Sequence, residues 1–263
     1  MLDTSKVGSD WDSLGFQWLY GCADQIIALT THEAEWLVAH GASEARVSVV
    51  PYGPILEPRR KELERGDVAE LLVSRYILFL GRLVPEKGYE LLLKAFESLA
   101  KDDSELQLVL VGPAYESSRV LINNVNERLN HPRVHLIENV PQPIKSALLE
   151  EAQVLCLPSR RESLGGVYIE SMASGTPVIA LDRPVSHCVI DHAENGLLVS
   201  EDVDSIIDGL QILLNDSTLR QTMAQSGIEK VNSLYTWEIV TRKIIAAYEL
   251  VNRKYSAGVD KAA

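Results

Sequence analysis

Cysteine, phenylalanine and excess positive charge are all scarce in this chain. The 263 residues include three cysteines and three phenylalanines, and 25 Lys and Arg residues against 37 Asp and Glu residues give a formal net charge of −12. This acidic balance predicts no nucleic-acid partner, because binding to a polyanion needs basic surface. Cys22, Cys156 and Cys188 are odd in number and far apart, which predicts buried free thiols in a reducing compartment rather than disulfides.

Long apolar runs are also missing. No run approaches the ~20 residues that a membrane-spanning helix needs. Met1 is followed by acidic and polar residues instead of a basic and then an apolar segment, so no secretory leader is predicted. We therefore expect a cytoplasmic protein without a transmembrane segment, and peripheral attachment to a membrane stays open.

From about residue 76 onward, short apolar segments alternate with helix-length segments. The apolar segments lack polar–apolar alternation, which is typical of buried parallel strands. They are Tyr76–Leu80, Leu106–Val111, Val134–Ile137, Val154–Leu157, Val178–Leu181 and Gly196–Val199. Helices are predicted at Tyr89–Ala100, Ile144–Ala152, Val167–Ala173, Val203–Leu214 and Thr218–Val231, and in a last segment that ends near Lys254. This order predicts the α/β class, with a Rossmann-like doubly wound parallel sheet.

The first fifty residues form a separate pattern. Gln25–Leu29 and Arg46–Val50 are predicted strands, and Thr30 with Glu33 fits a capping box that opens a helix through Ala39. One strand–helix–strand piece cannot cover both faces of its sheet, so it predicts the remnant of a larger domain. The aromatic residues near it are expected to form an apolar patch that faces the rest of that domain; they are Trp11, Trp18, Tyr20 and Trp36.

A linker is predicted where prolines and charges follow this piece, at Pro54, Pro58 and Arg59–Arg65. The predicted domains are therefore a remnant domain at 1–55, a main domain at 56–234, and a C-terminal helix with its tail at 235–263.

The stretch Leu157–Ala180 carries the strongest chemical signal. A loop with Glu162 follows an apolar strand, Gly165 and Gly166 open a short helix, and Glu170 lies on that helix. Backbone amides freed by glycines at a helix N-terminus suit an anion, whereas carboxylates accept hydrogen bonds from hydroxyl groups. Phosphate and polyol recognised together indicate a nucleotide-sugar.

This stretch resembles the Glu-x7-Glu motif of retaining glycosyltransferases with the GT-B fold, in particular the large family-4 group (glycosyl transferases group 1). Other segments resemble the same family in the same order, from about Cys22 to Lys254; they are Cys22–Thr30, Val49–Gly53, Leu80–Gly88, Val109–Gly112 and Asn195–Val199. The resemblance implies a donor-binding half with only the tail of the N-terminal domain. The family's acceptor-side loop and catalytic histidine would lie in a further domain of roughly a hundred residues.

The resemblance also implies roles for individual residues. Arg82 and Lys87 would hold the departing diphosphate, Glu162 the hydroxyls of the transferred sugar, and Glu170 the ribose. Of these, Arg82, Lys87 and Glu162 are the implied catalytic residues. The rest of the implied nucleotide-sugar site is Gly81, Leu164, Gly165 and Gly166.

Two segments depart from the family pattern. Ser163–Gly165 stands where the family usually has Gly-Phe-Gly, and Asp182–His187 stands where it often has a Gly-Gly pair followed by Glu. These departures leave the identity of the donor sugar open.

No metal cofactor is predicted. Two Asp-x-Asp sequences, Asp10–Asp12 and Asp202–Asp204, match the metal motif of another transferase fold, but the second opens a predicted helix, where acidic residues favour the helix dipole. A zinc site is not predicted either, because the spacing of the candidate ligands fits no closed tetrahedral template; these are His187, Cys188, Asp191 and His192.

The function that the resemblance implies is metal-independent transfer of a sugar, with retention of configuration, from a nucleoside-diphosphate sugar to an unknown acceptor: a glycan, a lipid or a small molecule. This is a hexosyltransferase-type activity, and whether the chain has it alone stays open. One alternative is a non-catalytic nucleotide-sugar-binding subunit that needs a separate acceptor-domain chain or an oligomer. A second is a sugar-nucleotide epimerase of the same fold.

Overall fold

Residues 14–57 and 67–259 are described by the computed structural model, and in these ranges eight strands form two parallel sheets. The strands are β1 (Ile26–Ala28), β2 (Val47–Val49), β3 (Arg75–Leu80), β4 (Leu106–Val111), β5 (Val134–Ile137), β6 (Val154–Leu157), β7 (Val178–Leu181) and β8 (Gly196–Val199). The helices are α1 (Leu14–Cys22), α2 (Thr31–Ala39), α3 (Asp67–Leu72), α4 (Tyr89–Asp102), α5 (Glu116–Leu129), α6 (Gln142–Glu151), α7 (Gly166–Ala173), α8 (Pro184–His187), α9 (Val203–Asn215), α10 (Ser217–Leu234) and α11 (Trp237–Val259).

The large sheet confirms the predicted doubly wound architecture. Its strand order is β5-β4-β3-β6-β7-β8, and every neighbouring pair is parallel. All six strands were predicted, five of them with the same bounds, and β3 begins one residue earlier at Arg75. The strands are mostly apolar because helices cover both faces of the sheet, which leaves β6 and β7 fully buried.

Helix α4 shows how the helices attach to this sheet. Its apolar side chains recur every three or four residues, and the predicted face of Leu92, Leu93, Phe96 and Leu99 is buried. Asp202 opens α9 as an N-cap by accepting a hydrogen bond from the Ser205 amide at 2.7 Å. The acidic residue at this position therefore contributes to helix initiation, as its placement after a strand predicts.

The small sheet pairs β1 with β2 through the predicted strand–helix–strand piece. The predicted N-cap contact is present, because the Glu33 amide donates to Thr30 Oγ1 at 3.0 Å. The return contact of a capping box differs: the Glu33 carboxylate accepts from the Leu29 amide at 2.6 Å, one residue before the N-cap. A separate small core forms around Tyr20, Ala28, Leu37 and Ala42.

The predicted aromatic patch is only partly exposed. Trp18 is 68 % exposed, but Tyr20 is buried and packs edge-on against Trp36. Trp11 lies outside the described residues, as do Asp10, Asp12 and most of the predicted linker.

Some elements differ from the predictions. Helices α1, α3, α5 and the short α8 were not predicted, and α11 continues to Val259 instead of ending near Lys254. Helix α5 buries few residues, so its sequence has a weak apolar pattern. The expectation of three buried thiols is wrong for Cys22, which is exposed, and for Cys188, which is half-buried; Cys156 is buried and all three are free.

Within residues 14–57 and 67–259, no helix combines the length and apolar character needed to cross a membrane.

Candidate functional site

The predicted site residues gather where the strand order of the large sheet reverses. Neighbouring strands β3 and β6 lie at this switch point, because the chain builds β4 and β5 on one side of β3 and β6 to β8 on the other. Ligands of doubly wound sheets bind outside the carboxyl ends of the strands at such a point. The loop after β3 carries Arg82 and Lys87, and the loop after β6 carries Glu162.

The loop after β3 is held by backbone hydrogen bonds and presents Arg82 outward. The Gly81 amide donates to the Val111 carbonyl at 2.9 Å, and the Leu83 amide donates to the Pro113 carbonyl at 3.0 Å. The side chain of Arg82, between these two anchors, has no hydrogen-bond or ion-pair partner among the residues that the structure describes, and the residue is exposed. Its guanidinium group is therefore available to an anionic ligand.

Close packing between the two loops depends on Gly88. This residue has φ +72°, and a Cβ built on it would lie 2.0 Å from the Pro158 carbonyl oxygen. The Arg160 amide donates to the Glu86 carbonyl at 2.8 Å nearby. The loop after β3 thus lies directly against the loop after β6, which brings their charged side chains together.

The first charged pair of the site joins these loops. Lys87 Nζ lies 2.5 Å from Glu162 Oε1, and the two side chains are 18 % and 14 % exposed. The sequence predicted both residues at the site but not their direct contact. Partial burial strengthens such a pair relative to one at the surface, because less water screens the charges.

Helix α7 starts at the expected glycines. Gly165 is its N-cap at φ +81°, and Gly166 is its first residue. Leu164, the preceding residue, is 1 % exposed and belongs to the apolar core. Its side chain therefore faces the core, and only its backbone can reach a ligand.

A second charged pair includes a residue that the sequence did not single out. Lys145 Nζ, on α6, lies 2.7 Å from Glu170 Oε1, and the two side chains are 14 % and 11 % exposed. Lys145 lies eight residues after the carboxyl end of β5, on the helix that follows this strand. Its place after a strand end is the one feature of the sequence that could have indicated a site residue. The contact neutralises Glu170 and leaves its other carboxylate oxygen for a ligand.

Tyr52 is a further residue that sequence analysis did not assign to the site. It lies in the segment after β2, and a Cβ built on Gly166 would lie 2.4 Å from its hydroxyl oxygen. Burial raises the pKa of Tyr52, and the charges of Glu162 and Glu170 add to that rise, while a polar contact with the Gly166 amide opposes it. The phenol is therefore neutral near pH 7.

The histidines and aspartates that were considered as metal ligands, and for which no site was predicted, have other partners. His187 Nε2 lies 2.6 Å from Asp182 Oδ1, and His192 Nδ1 accepts from the Leu198 amide at 3.0 Å. Asp191 pairs with Lys230 at 2.6 Å. In the part of the chain that the structure covers, no group of three or more His, Cys, Asp or Glu side chains could hold a metal ion.

Comparison with known proteins identifies the class. The profile of the family described as "Glycosyl transferases group 1" matches residues 61–230, which is more than half of the chain. The chain therefore belongs to this family, and its fold is of the GT-B type.

Similar individual proteins support the same assignment. The chain is 28 % identical over 263 residues to a D-inositol 3-phosphate glycosyltransferase of Kribbella flavida, covering 93 % of this chain and 60 % of that protein. It is 33 % identical over 182 residues to a phosphatidyl-myo-inositol mannosyltransferase of Mycobacterium leprae, covering 68 % and 47 %. The chain thus spans about half to three fifths of the length of these relatives.

Solved structures share the fold. A sucrose-phosphate synthase from Thermosynechococcus elongatus superposes with a TM-score of 0.74 at 25 % identity, covering 92 % of this chain and 61 % of that one. Anabaena Alr3699/HepE, in complex with UDP and glucose, superposes with a TM-score of 0.71 at 18 % identity, covering 86 % and 63 %.

Proposed function

We propose that this chain is the donor-binding part of a metal-independent, retaining glycosyltransferase that uses a nucleoside-diphosphate sugar. The observation that carries the proposal is the arrangement at the switch point: two lysine–glutamate pairs and the unpaired Arg82 lie around the start of α7, in a member of the glycosyltransferase family. Both glutamates can accept hydrogen bonds from hydroxyl groups while the lysines offset their charge.

The charges of this site suit a leaving diphosphate. Lys87 balances Glu162 and Lys145 balances Glu170, so Arg82 leaves one net positive charge among these five groups. Breaking the bond between the anomeric carbon and the phosphate oxygen builds negative charge on the diphosphate. Fixed cations beside that oxygen stabilise the transition state more than the ground state, which raises the rate.

In this proposal each residue has one role. Arg82 and Lys87 hold the diphosphate, Glu162 orients the transferred sugar, and Glu170 binds the ribose, while Gly81, Leu164, Gly165 and Gly166 contribute backbone groups. Retention of configuration is part of the proposal because the chain resembles retaining members of the family.

We also propose the domain division 1–55, 56–234 and 235–263. The small sheet with its own core supports the first unit. The indole nitrogen of Trp237, at the start of α11, donates to the Pro54 carbonyl at 2.9 Å, so the C-terminal helix is anchored beside the segment that joins the units. The acceptor would be bound largely by a further N-terminal domain, in the same chain or a partner chain.

Calorimetric titration of the purified chain with UDP, GDP and ADP, each in EDTA and in Mn²⁺ buffer, tests the donor site. We expect micromolar binding of one nucleotide, with equal affinity in the two buffers; the UDP-bound neighbour makes UDP the first to try. A folded sample that binds none of them would refute the donor site. Binding seen only with Mn²⁺ would refute metal independence.

Glu170 and Lys145 test the ribose contact. Glu170→Ala should weaken nucleoside-diphosphate binding roughly tenfold, because a hydrogen bond to a charged group is lost. Lys145→Met should act in the same direction, since it leaves Glu170 as an unpaired charge. Both variants should reduce the preference for the ribonucleotide over its 2′-deoxy form, and Glu150→Ala, on the exposed side of α6, is the matched control. An unchanged preference in Glu170→Ala would remove this residue from the ribose site.

A further inference from the structure

The switch-point site has one close contact with a residue from outside the family-matched region. Tyr52 precedes residue 61, where that match begins, yet its ring lies against Gly166 at the start of α7. A Cβ on Gly166 would lie 2.4 Å from Tyr52 Cε2 and 2.8 Å from Cζ. Only glycine leaves room for the tyrosine at this position, so the two residues form a single packed unit.

The hydroxyl group of Tyr52 can donate a hydrogen bond to a ligand. Its oxygen has a polar contact with the Gly166 amide, which makes the oxygen an acceptor there. In the described part of the chain, no acceptor within hydrogen-bond distance takes the Tyr52 proton. Because the phenol is neutral, it presents this proton without adding negative charge beside an anion.

The position of Tyr52 indicates which part of the donor it meets. The hydroxyl group lies against Gly166, the first residue of α7, and along the chain Gly166 stands between Glu162 and Glu170, the carboxylates proposed for the sugar and for the ribose. In a nucleoside-diphosphate sugar, the chemical group between ribose and sugar is the diphosphate. We propose that Tyr52 donates a hydrogen bond to the diphosphate of the donor, an inference that rests on the proposed function.

Tyr52→Phe tests this contact, because it removes the hydroxyl group and keeps the ring against Gly166. Titrations compare wild type and variant with the nucleoside diphosphate that binds, its monophosphate and its nucleoside. We expect roughly tenfold weaker diphosphate binding and unchanged nucleoside binding. Tyr248→Phe is the control, since that ring is 67 % exposed and on α11.

The outcomes separate the inference from the proposed function. If wild type binds no nucleotide, both fail. If wild type binds and Tyr52→Phe binds the diphosphate equally well, or more tightly, the Tyr52 contact is wrong and the donor site stands. Equal weakening for the diphosphate and the nucleoside would indicate a structural role only and would also overturn the contact.

A second measurement tests the packing on which the contact depends. Gly166→Ala should weaken diphosphate binding strongly, because the new Cβ would displace the Tyr52 ring. In a Tyr52→Ala background, the factor by which Gly166→Ala weakens diphosphate binding should be at least threefold smaller. Equal losses in the two backgrounds would show that Tyr52 and Gly166 act independently, and would contradict the inference.

Discussion

Replacing Lys87 with methionine is expected to weaken nucleoside-diphosphate binding by about 30-fold or more, a loss typical of breaking one partner of a hydrogen-bonded charge pair in a binding site. Two effects add. The variant removes an ammonium group that would contact the diphosphate, and it leaves Glu162, which is 14 % exposed, as an unpaired negative charge. The measurement is calorimetric affinity for the nucleotide identified in the first titration.

A matched control and a double variant sharpen this test. Lys94→Met removes an exposed lysine of α4 and should leave the affinity unchanged. Adding Glu162→Gln to Lys87→Met should recover part of the lost affinity, because the unpaired carboxylate is neutralised. An affinity of Lys87→Met within threefold of wild type would contradict the assigned role of Lys87.

Gly88→Ala is expected to lower the free energy of unfolding by roughly 2–5 kcal/mol, the sum of a left-handed backbone strain and an overpacked contact. The left-handed φ of +72° is costly for alanine, and the Cβ would lie 2.0 Å from the Pro158 carbonyl oxygen. That oxygen belongs to the backbone, so relief requires the loops after β3 and β6 to separate. Nucleotide affinity should therefore fall as well, since Lys87 and Glu162 lie on these loops.

Gly175→Ala separates the cost of the left-handed backbone from the cost of the overpacked contact. Gly175 has φ +77°, but a Cβ on it would meet only Ile228 Cδ1 at 3.5 Å, an ordinary contact distance. Its expected cost is about 1–2 kcal/mol from the backbone alone. Urea unfolding of both variants provides the comparison, and equal losses would mean that the contact with Pro158 is not tight.

The sequence predicted the large sheet well and parts of the helical layer poorly. Buried parallel strands are apolar on both faces, so β6, β7 and β8 have an unambiguous local signal, and β4 and β5 are interrupted by only one polar residue each. Helix α5 was missed because it buries few side chains, and a mostly exposed helix has a weak apolar pattern. The glutamates of the site were predicted because their spacing lies within one continuous stretch of sequence.

The partners of these glutamates are a matter of tertiary structure. Lys145 is 25 residues from Glu170 in the chain, and Tyr52 is more than a hundred residues from Gly166. Residues so far apart in the sequence show no periodic pattern that would pair them. Such contacts form only because the loops after separate strands lie at the same edge of the sheet.

The sequence by itself therefore determined the α/β class, the strand order along the chain, the family and the positions of Arg82, Lys87, Glu162 and Glu170, since each depends on local pattern or motif. Only the tertiary structure decided that Lys87 neutralises Glu162, that Lys145 neutralises Glu170, and that Tyr52 packs on the first turn of α7. The physical reason is that charge balance and close packing depend on distances through space, which the folding of distant segments sets.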